Sequence, residues 1–188
     1  MIATLLPLMP WRAAVAAAIQ AQCFNVTWEP SSMARILAMP GTFGWLAMRQ
    51  CDQDHDAVQP IGLIVGRSIL GETEILVMGV IPQARRLGLG CLLLKTLQRM
   101  TTGKKIFLEV AIDNVAALAL YRKLGFKQVG RRLNYYQRVD GTNVDALILQ
   151  SLDVSPHDGC DVDACAAAAE EMPLSQRGCQ RRGENGAS

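Results

Sequence analysis

The chain has 188 residues, of which 50% are hydrophobic and 19% are charged, and its formal net charge is +2. This composition is typical of one globular domain with a sizeable core, and it excludes a chain too polar to fold. The small net charge argues neither for nor against a nucleic-acid surface. Since the six cysteines show no paired spacing, we expect mostly free thiols in a reducing, cytoplasmic compartment.

The N-terminal segment is apolar, but it is not typical of a signal peptide. It lacks a basic start, and Pro7, Pro10 and Arg12 interrupt it. No run in the chain reaches transmembrane length without a break, so we expect no membrane partner. Apolar patterning and prolines predict the first five elements: strand Ile2–Leu6, helix Trp11–Gln22, helix Pro30–Met39, strand Gly44–Arg49 and strand Ile61–Ser68. The polar segment Gln50–Gln59 is predicted to join the last two as a hairpin loop.

Strands and helices alternate in the middle of the chain. The predicted elements are strand Glu74–Val80, helix Cys91–Met100, strand Ile106–Val110, helix Val115–Leu124, strand Lys127–Leu133 and strand Asp145–Leu152. The segment Asn134–Asn143 is predicted to be a loop. Because hairpins flank the alternating part, the pattern indicates a mixed α/β sheet rather than a repeated βαβ unit.

The composition changes after Leu152. Residues 153–188 are rich in small and polar residues and have no sustained periodicity, so we expect a disordered tail after a domain of residues 1–152. His157, Cys160 and Cys165 could instead bind a metal ion, but their spacing matches no standard zinc pattern. We therefore expect no metal site.

A glycine loop lies between a predicted strand and a predicted helix. Arg85, Gly88 and Gly90 form the pattern Arg-x-x-Gly-x-Gly, and a helix that begins in such a loop presents free N–H groups and its positive dipole end. Phosphate groups bind at such ends. The loop is neither a dinucleotide fingerprint nor a P-loop. It predicts an anion cradle for a phosphate-bearing cofactor, although an ordinary strand-to-helix turn has the same appearance.

Two side chains in the following segment suggest acid–base chemistry. Glu109 lies in a short apolar strand, where burying a carboxylate costs free energy unless it is paired or has a catalytic role. It is either a residue facing water at the sheet edge or a general base. Tyr121 lies twelve residues further on, in the helix that Asn114 is predicted to cap. It is either a core tyrosine or a proton donor.

The motif that contains these residues resembles the GNAT acetyltransferases. It runs Leu108-Glu109-Val110-x-x-x-Asn114-x-x-Ala117-x-x-Leu120-Tyr121-x-x-x-Gly125-Phe126. Within that family, Glu109–Leu149 is most similar to the bacterial enzymes that acetylate the N-terminal alanine of a ribosomal protein. Arg131-Arg132-Leu133-Asn134-Tyr135-Tyr136 is the distinctive stretch. The resemblance implies a GNAT acyl-CoA N-acyltransferase fold, in which about four helices flank a mixed sheet with splayed central strands.

The resemblance also implies a role for each matching residue. Glu109 would be the base, and Tyr121 the acid that protonates the departing thiolate. Acetyl-CoA is the implied co-substrate, and the residues implied to contact it are Met78, Gly79, Val80, Arg86, Leu87, Gly88, Leu89, Gly90, Cys91 and Asn114. The residues implied to face the acceptor are Trp28, Tyr135, Tyr136 and Asp145.

The function expected from the resemblance is transfer of acetyl from acetyl-CoA to the N-terminal α-amino group of a protein by direct attack, with the N-terminal alanine of a ribosomal protein as the expected acceptor. The expected partner is a protein or peptide N-terminus, with no direct nucleic-acid partner, and the chain is expected to be a monomer or weak dimer. A lysine side chain or a small amine remains an alternative acceptor. Ala111 bears on this choice, because the family often has Arg there. A non-catalytic acyl-CoA sensor is the third alternative.

Overall fold

The computed structural model describes residues 3–50, 58–138 and 140–151. They form seven strands and four α-helices. The strands are β1 Ala3–Pro7, β2 Thr42–Gln50, β3 Val58–Ile69, β4 Glu72–Val80, β5 Lys105–Ala111, β6 Lys127–Gln137 and β7 Asn143–Ser151. The helices are α1 Ala13–Cys23, α2 Pro30–Ala38, α3 Leu89–Met100 and α4 Val115–Lys123. The strands form one sheet in the order β1-β2-β3-β4-β5-β7-β6, so the predicted mixed α/β sheet is confirmed.

Local sequence signals explain where the helices begin and end. Pro30 is the first residue of α2, where its missing N–H is not needed. The Asn114 side chain caps α4, because its oxygen accepts a hydrogen bond from the N–H of Ala117 at 3.2 Å. Gly125, with φ +85°, follows the end of the same helix. These caps confirm the predicted start of α4 and its predicted end within a residue.

The central strands of the sheet separate soon after they meet. In the described chain, β4 and β5 pair in parallel over three residue pairs: Glu72 with Lys105, Thr73 with Ile106 and Glu74 with Phe107. Beyond Glu74 the two strands diverge, and β5 continues to pair with β7 on its other side as far as Ala111. The predicted splay of the central strands is therefore confirmed.

Helices cover the two faces of the sheet. Leu93 and Leu97 of α3 are fully buried and pack against Gly62 and Gly66 of β3. Cys23, at the end of α1, lies against Gly79 of β4. Gly62 pairs with Val80, so its neighbour Gly79 faces the other side of the sheet. Consequently α1 and α3 lie on opposite faces.

Three sequence-based predictions need correction or fall outside the described residues. Strand β6 runs to Gln137, whereas the sequence predicts a loop from Asn134. The strand continues past a bulge, since the β6–β7 register jumps from Arg132–Ala146 to Tyr136–Val144 and Asn134 has φ +53°. The tail 153–188, with its possible metal ligands, and positions 51–57 of the predicted hairpin loop lie outside the described residues. Within those that are described, no helix is both long and apolar enough to cross a membrane.

The β3–β4 turn gives a test of the backbone geometry. Leu70 and Gly71 join Ile69 to its partner Glu72, and both have positive φ, 48° and 84°, as a type I′ turn requires. Leu70 is 100% exposed and gains nothing from burial. Leu70→Asn should raise the free energy of unfolding by about 1 kcal/mol, since Asn tolerates this conformation better. Chemical denaturation would measure the change, and Gly71→Ala should lower stability. Equal stability of wild type and Leu70→Asn would contradict this turn geometry.

Candidate active site

The divergence of β4 from β5 leaves backbone groups of β4 facing a gap. The Ile81 N–H donates to the oxygen of Ile61 on β3 at 3.0 Å. Because successive residues of a strand alternate in direction, the N–H groups of Val80 and Met78 point away from β3. The carbonyl oxygen of Val80 has the same direction and accepts a hydrogen bond from Nε of Arg85 at 3.1 Å. Met78 and Val80 therefore present two N–H groups to the gap, as backbone donors for a ligand.

The glycine loop follows β4 and leads into α3. Gly88 is the N-cap residue of α3 and has φ +81°, and Arg86 also has positive φ, 65°. No acidic residue lies in the first turn of α3, so nothing there opposes a bound anion. Gly90 lies against α4, because a Cβ added there would be 3.0 Å from Cδ2 of Leu120. The loop thus brings the start of α3 close to α4.

Glu109 lies on the same sheet face as Gly79, across the gap. Gly66 faces α3, and its partner Ile75 shares that face. Glu74 precedes Ile75 in β4, so it faces the opposite side, the side of α1. Its partner Phe107 on β5 faces the same side. Two residues further along β5, Glu109 points the same way. The side of the gap that carries α1 and its following loop is therefore the side that carries the carboxylate.

The carboxylate of Glu109 is held by groups from β6. Its side chain is 21% exposed, and its Oε1 accepts a hydrogen bond from Nε of Arg132 at 2.6 Å. Hydrogen bonding to Glu109 also raises the pKa of Tyr135, with burial as a smaller cause. The guanidinium of Arg132 stacks over the Tyr135 ring at 5.6 Å. Glu109 is therefore neither a solvated edge residue nor an isolated charge.

Tyr121 is a buried residue of α4. It is 7% exposed, and its ring packs on Phe126 with centroids 5.7 Å apart. Burial, with a smaller contribution from Tyr136, raises its pKa to about 12. Burial and the charge of Glu109 raise the pKa of Tyr136 to about 12 as well. Tyr136 thus interacts electrostatically with Glu109 and with Tyr121, and the catalytic roles of the two predicted residues stay predictions.

The remaining predicted residues occupy supporting positions. The Asp145 carboxylate accepts hydrogen bonds from Nε of Arg131 and from the N–H of Asn134, and these bonds lower its pKa. Asp145 therefore holds the β6 bulge that carries Tyr135. Trp28 is half-buried and packs against the core. The Asn114 oxygen is occupied as a helix cap, which leaves its NH₂ group for a ligand.

The sequence did not single out Arg132 as a partner of Glu109, or Gln20, whose side-chain amide hydrogen-bonds the backbone of Val26 and Trp28 in the loop after α1. Arg132 lies 23 residues from Glu109 in the chain, and only the β5–β7–β6 pairing brings them together. Gln20 gives no signal, because glutamine in a helix is usually exposed. No cluster of three potential metal ligands exists in the part of the chain that the structure describes. Cys23 and Cys91, the cysteines within it, are free thiols.

Comparison with known proteins identifies the class. The model of the Acetyltransferase (GNAT) family matches residues 14–126, more than half of the chain. A chain with this match, a splayed central sheet and a glycine loop at a helix start belongs to the GNAT family. It is an N-acetyltransferase, and the family resemblance seen in the sequence is confirmed.

Individual relatives narrow the comparison. N-alpha-acetyltransferase RimI of Mycobacterium tuberculosis is 35% identical over 149 residues, which cover 74% of this chain and 87% of the relative. The ribosomal protein bS18-alanine N-acetyltransferase of Salmonella typhimurium is 39% identical over 84 residues, 43% of this chain and 56% of the relative. The solved structure of the ribosomal-protein-S18-alanine N-acetyltransferase from Escherichia coli has the same fold, with a TM-score of 0.73 and 24% identity over 85% of this chain and 99% of that one.

The ionisation of the tyrosines tests this geometry directly. The chain has three tyrosines, all in this cluster. We expect Tyr121 to ionise near pH 12 rather than near 10. The fold favours the protonated phenol of Tyr121. The stabilisation that this phenol contributes is therefore complete below pH 10 and is lost as the pH rises through 12. Tyrosinate absorbance in a pH titration would measure this. Tyr121→Phe should remove a component that titrates near pH 12, and loss of a component near pH 10 would contradict the burial.

Proposed function

We propose that this protein transfers the acetyl group of acetyl-CoA to the N-terminal α-amino group of a protein, with Glu109 as base and Tyr121 as acid. The observation that carries the proposal is the position of Glu109. It lies on the α1 face of the sheet, on the strand across the gap from the N–H groups of Met78 and Val80. The names of the Mycobacterium and Salmonella relatives support α-amino acetylation. We propose the N-terminal alanine of a ribosomal protein as the specific acceptor.

The cofactor would bind along β4 and the glycine loop. The gap-facing N–H groups of Met78 and Val80 would bind the pantetheine arm and polarise the thioester carbonyl, as an oxyanion hole does. The first N–H groups of α3 would bind the pyrophosphate. The residues proposed to contact acetyl-CoA are Met78, Gly79, Val80, Arg86, Leu87, Gly88, Leu89, Gly90, Cys91 and Asn114. Acetyl-CoA supplies the activated acyl group, and no metal enters the proposal.

The demand on the base favours an α-amine over a lysine. An α-amino group has a pKa of ~7.7–8.0, so deprotonating it at neutral pH costs on the order of 1–1.5 kcal/mol. A lysine amine, with a pKa of ~10.4, would cost roughly 4–5 kcal/mol. One partly exposed carboxylate, Glu109, is sufficient to deprotonate an α-amino group. The amine then attacks the thioester carbonyl directly, and the C–S bond breaks as the amide bond forms.

The departing thiolate needs a proton donor. Because burial raises the pKa of Tyr121 to about 12, its phenol stays protonated at neutral pH and can donate. The same burial makes it a weak acid. We therefore expect proton transfer to sulfur to accompany C–S cleavage rather than to precede it.

The acceptor is proposed to be a polypeptide because exposed apolar side chains lie in the loop that packs on β4 and in the β6 bulge that contacts Glu109. Phe24 and Val26 follow α1, and Leu133 and Tyr135 belong to the β6 bulge; all four are exposed. A peptide chain could bury these side chains, whereas a small amine could not cover both groups. We propose the cytoplasm as the compartment of the enzyme, because the proposed acceptor is a ribosomal protein. We further propose residues 1–152 as the catalytic domain and 153–188 as a tail outside it.

Glu109→Gln tests the base. With a peptide whose free N-terminal residue is alanine, we expect kcat to fall by about 10²–10⁴-fold while the KM for acetyl-CoA is unchanged. CoA release would measure both parameters. Glu72→Gln, which neutralises an exposed carboxylate at the start of β4, is the matched control and should leave kcat unchanged. Full activity of Glu109→Gln would refute the proposed role.

A second peptide separates the acceptor classes. The same sequence with a blocked N-terminus and a free lysine should give no CoA release. Release from this peptide alone would favour lysine acetylation. Binding of acetyl-CoA without turnover of either peptide would favour a small amine or the sensor function.

Gly88→Ala tests the anion cradle. Gly88 has φ +81° and no atom within 4 Å of an added Cβ, so the substitution strains only the backbone. We expect the Kd of acetyl-CoA to rise about fivefold to tenfold. Alanine with positive φ costs about 1–1.4 kcal/mol, and this strain disfavours the loop conformation that binds the cofactor. Gly103→Ala, with φ +76° and equally open space, is the matched control. Calorimetric titration that gives the same Kd for both variants would contradict the cradle.

A further inference from the structure

Gln20 is a buried polar residue that holds an otherwise irregular loop. It lies in α1 and is 3% exposed. Its Nε2 donates to the carbonyl oxygen of Val26 at 2.7 Å, and its Oε1 accepts from the N–H of Trp28 at 2.9 Å. One side-chain amide therefore satisfies two backbone groups of residues 24–29, which we call the acceptor loop. A buried amide that loses such partners is costly, so the loop conformation and Gln20 depend on each other.

The acceptor loop is also seated on β4. A Cβ added to Gly79 would lie 2.9 Å from Sγ of Cys23 and 3.3 Å from the ring of Phe24. These residues can therefore approach the strand only because position 79 has no side chain. Gly79 shares its sheet face with Glu109, as the strand register shows. The loop thus lies against β4 on the sheet face that also carries the candidate base, and the acceptor is proposed to bind on this face.

The loop combines an anchored backbone with exposed apolar side chains. Trp28 packs against the core, while Val26, whose carbonyl accepts one of the two bonds of Gln20, has a side chain that is 68% exposed. Gln20 fixes the Val26 carbonyl and so fixes where that exposed side chain stands. Its amide touches none of the groups proposed to react.

We infer that Gln20 is a positioning residue for the acceptor: it fixes the acceptor loop so that Phe24 and Val26 form one wall of the peptide site. This inference rests on the proposed function. Loss of Gln20 should weaken acceptor binding without changing the chemical step. A purely structural residue would lower stability and leave the KM for the acceptor unchanged.

The test compares Gln20→Met with Gln98→Met. Gln98 is also 3% exposed, and its Nε2 donates to the carbonyl of Leu124 at 3.1 Å, away from the acceptor loop. With a peptide that begins with free alanine, Gln20→Met should raise the peptide KM about tenfold and leave kcat and the KM for acetyl-CoA unchanged. Gln98→Met should lower thermal stability comparably and leave all three parameters unchanged.

Hydrogen exchange of residues 24–29 provides a readout that does not need turnover. Gln20→Met should accelerate exchange of the Trp28 amide, and Gln98→Met should not. If wild type acetylates the peptide but Gln20→Met has an unchanged peptide KM, or if Trp28 exchange is unchanged, the inference is wrong. If wild type acetylates no free N-terminus while Trp28 exchange accelerates as expected, the proposed function fails and the anchoring of the loop stands.

Discussion

The early divergence of β4 and β5 is the constraint on which the candidate site depends. Two parallel strands that stayed paired would satisfy each other's backbone groups and leave no room between them. Here the pairing ends at Glu74, so the last residues of β4 retain unpaired N–H groups next to the glycine loop. The same divergence uncovers Glu109 on the neighbouring strand. Cofactor donors and candidate base are therefore consequences of one departure from regular sheet geometry.

The outer hairpin supplies the electrostatic environment of that gap. Strand β6 is an edge strand, yet its bulge brings Arg132 and Tyr135 over the carboxylate of Glu109. Asp145 on β7 holds the bulge by accepting bonds from Arg131 and the Asn134 N–H. Ion pairs from β6 to Asp145 on β7 and to Glu109 on β5 thus keep the Glu109 carboxylate at a partly buried position, where an unpaired charge would be costly.

Much of the fold follows from the sequence, because caps, prolines and apolar periodicity are local signals. The Asn114 cap and the glycine loop show this, since each depends on residues within one turn. The extension of β6 to Gln137 could not be predicted, because a bulge reverses the alternation on which strand prediction rests. The ion pair of Arg132 with Glu109 depends on strand order, and the burial of Gln20 depends on how α1 packs on the sheet. Neither could be predicted, because no residue nearby in the sequence indicates it.

A structure of the protein bound to a conjugate of CoA and an alanine-starting peptide is the most direct test of the proposed site. We predict that the pantetheine arm passes between β4 and β5 and that the carbonyl oxygen at the junction lies about 2.7–3.1 Å from a gap-facing N–H of Met78 or Val80. We also predict that the peptide nitrogen lies on the Glu109 side of the sheet. A conjugate bound outside the gap, or a peptide nitrogen on the α3 face, would contradict the proposed site.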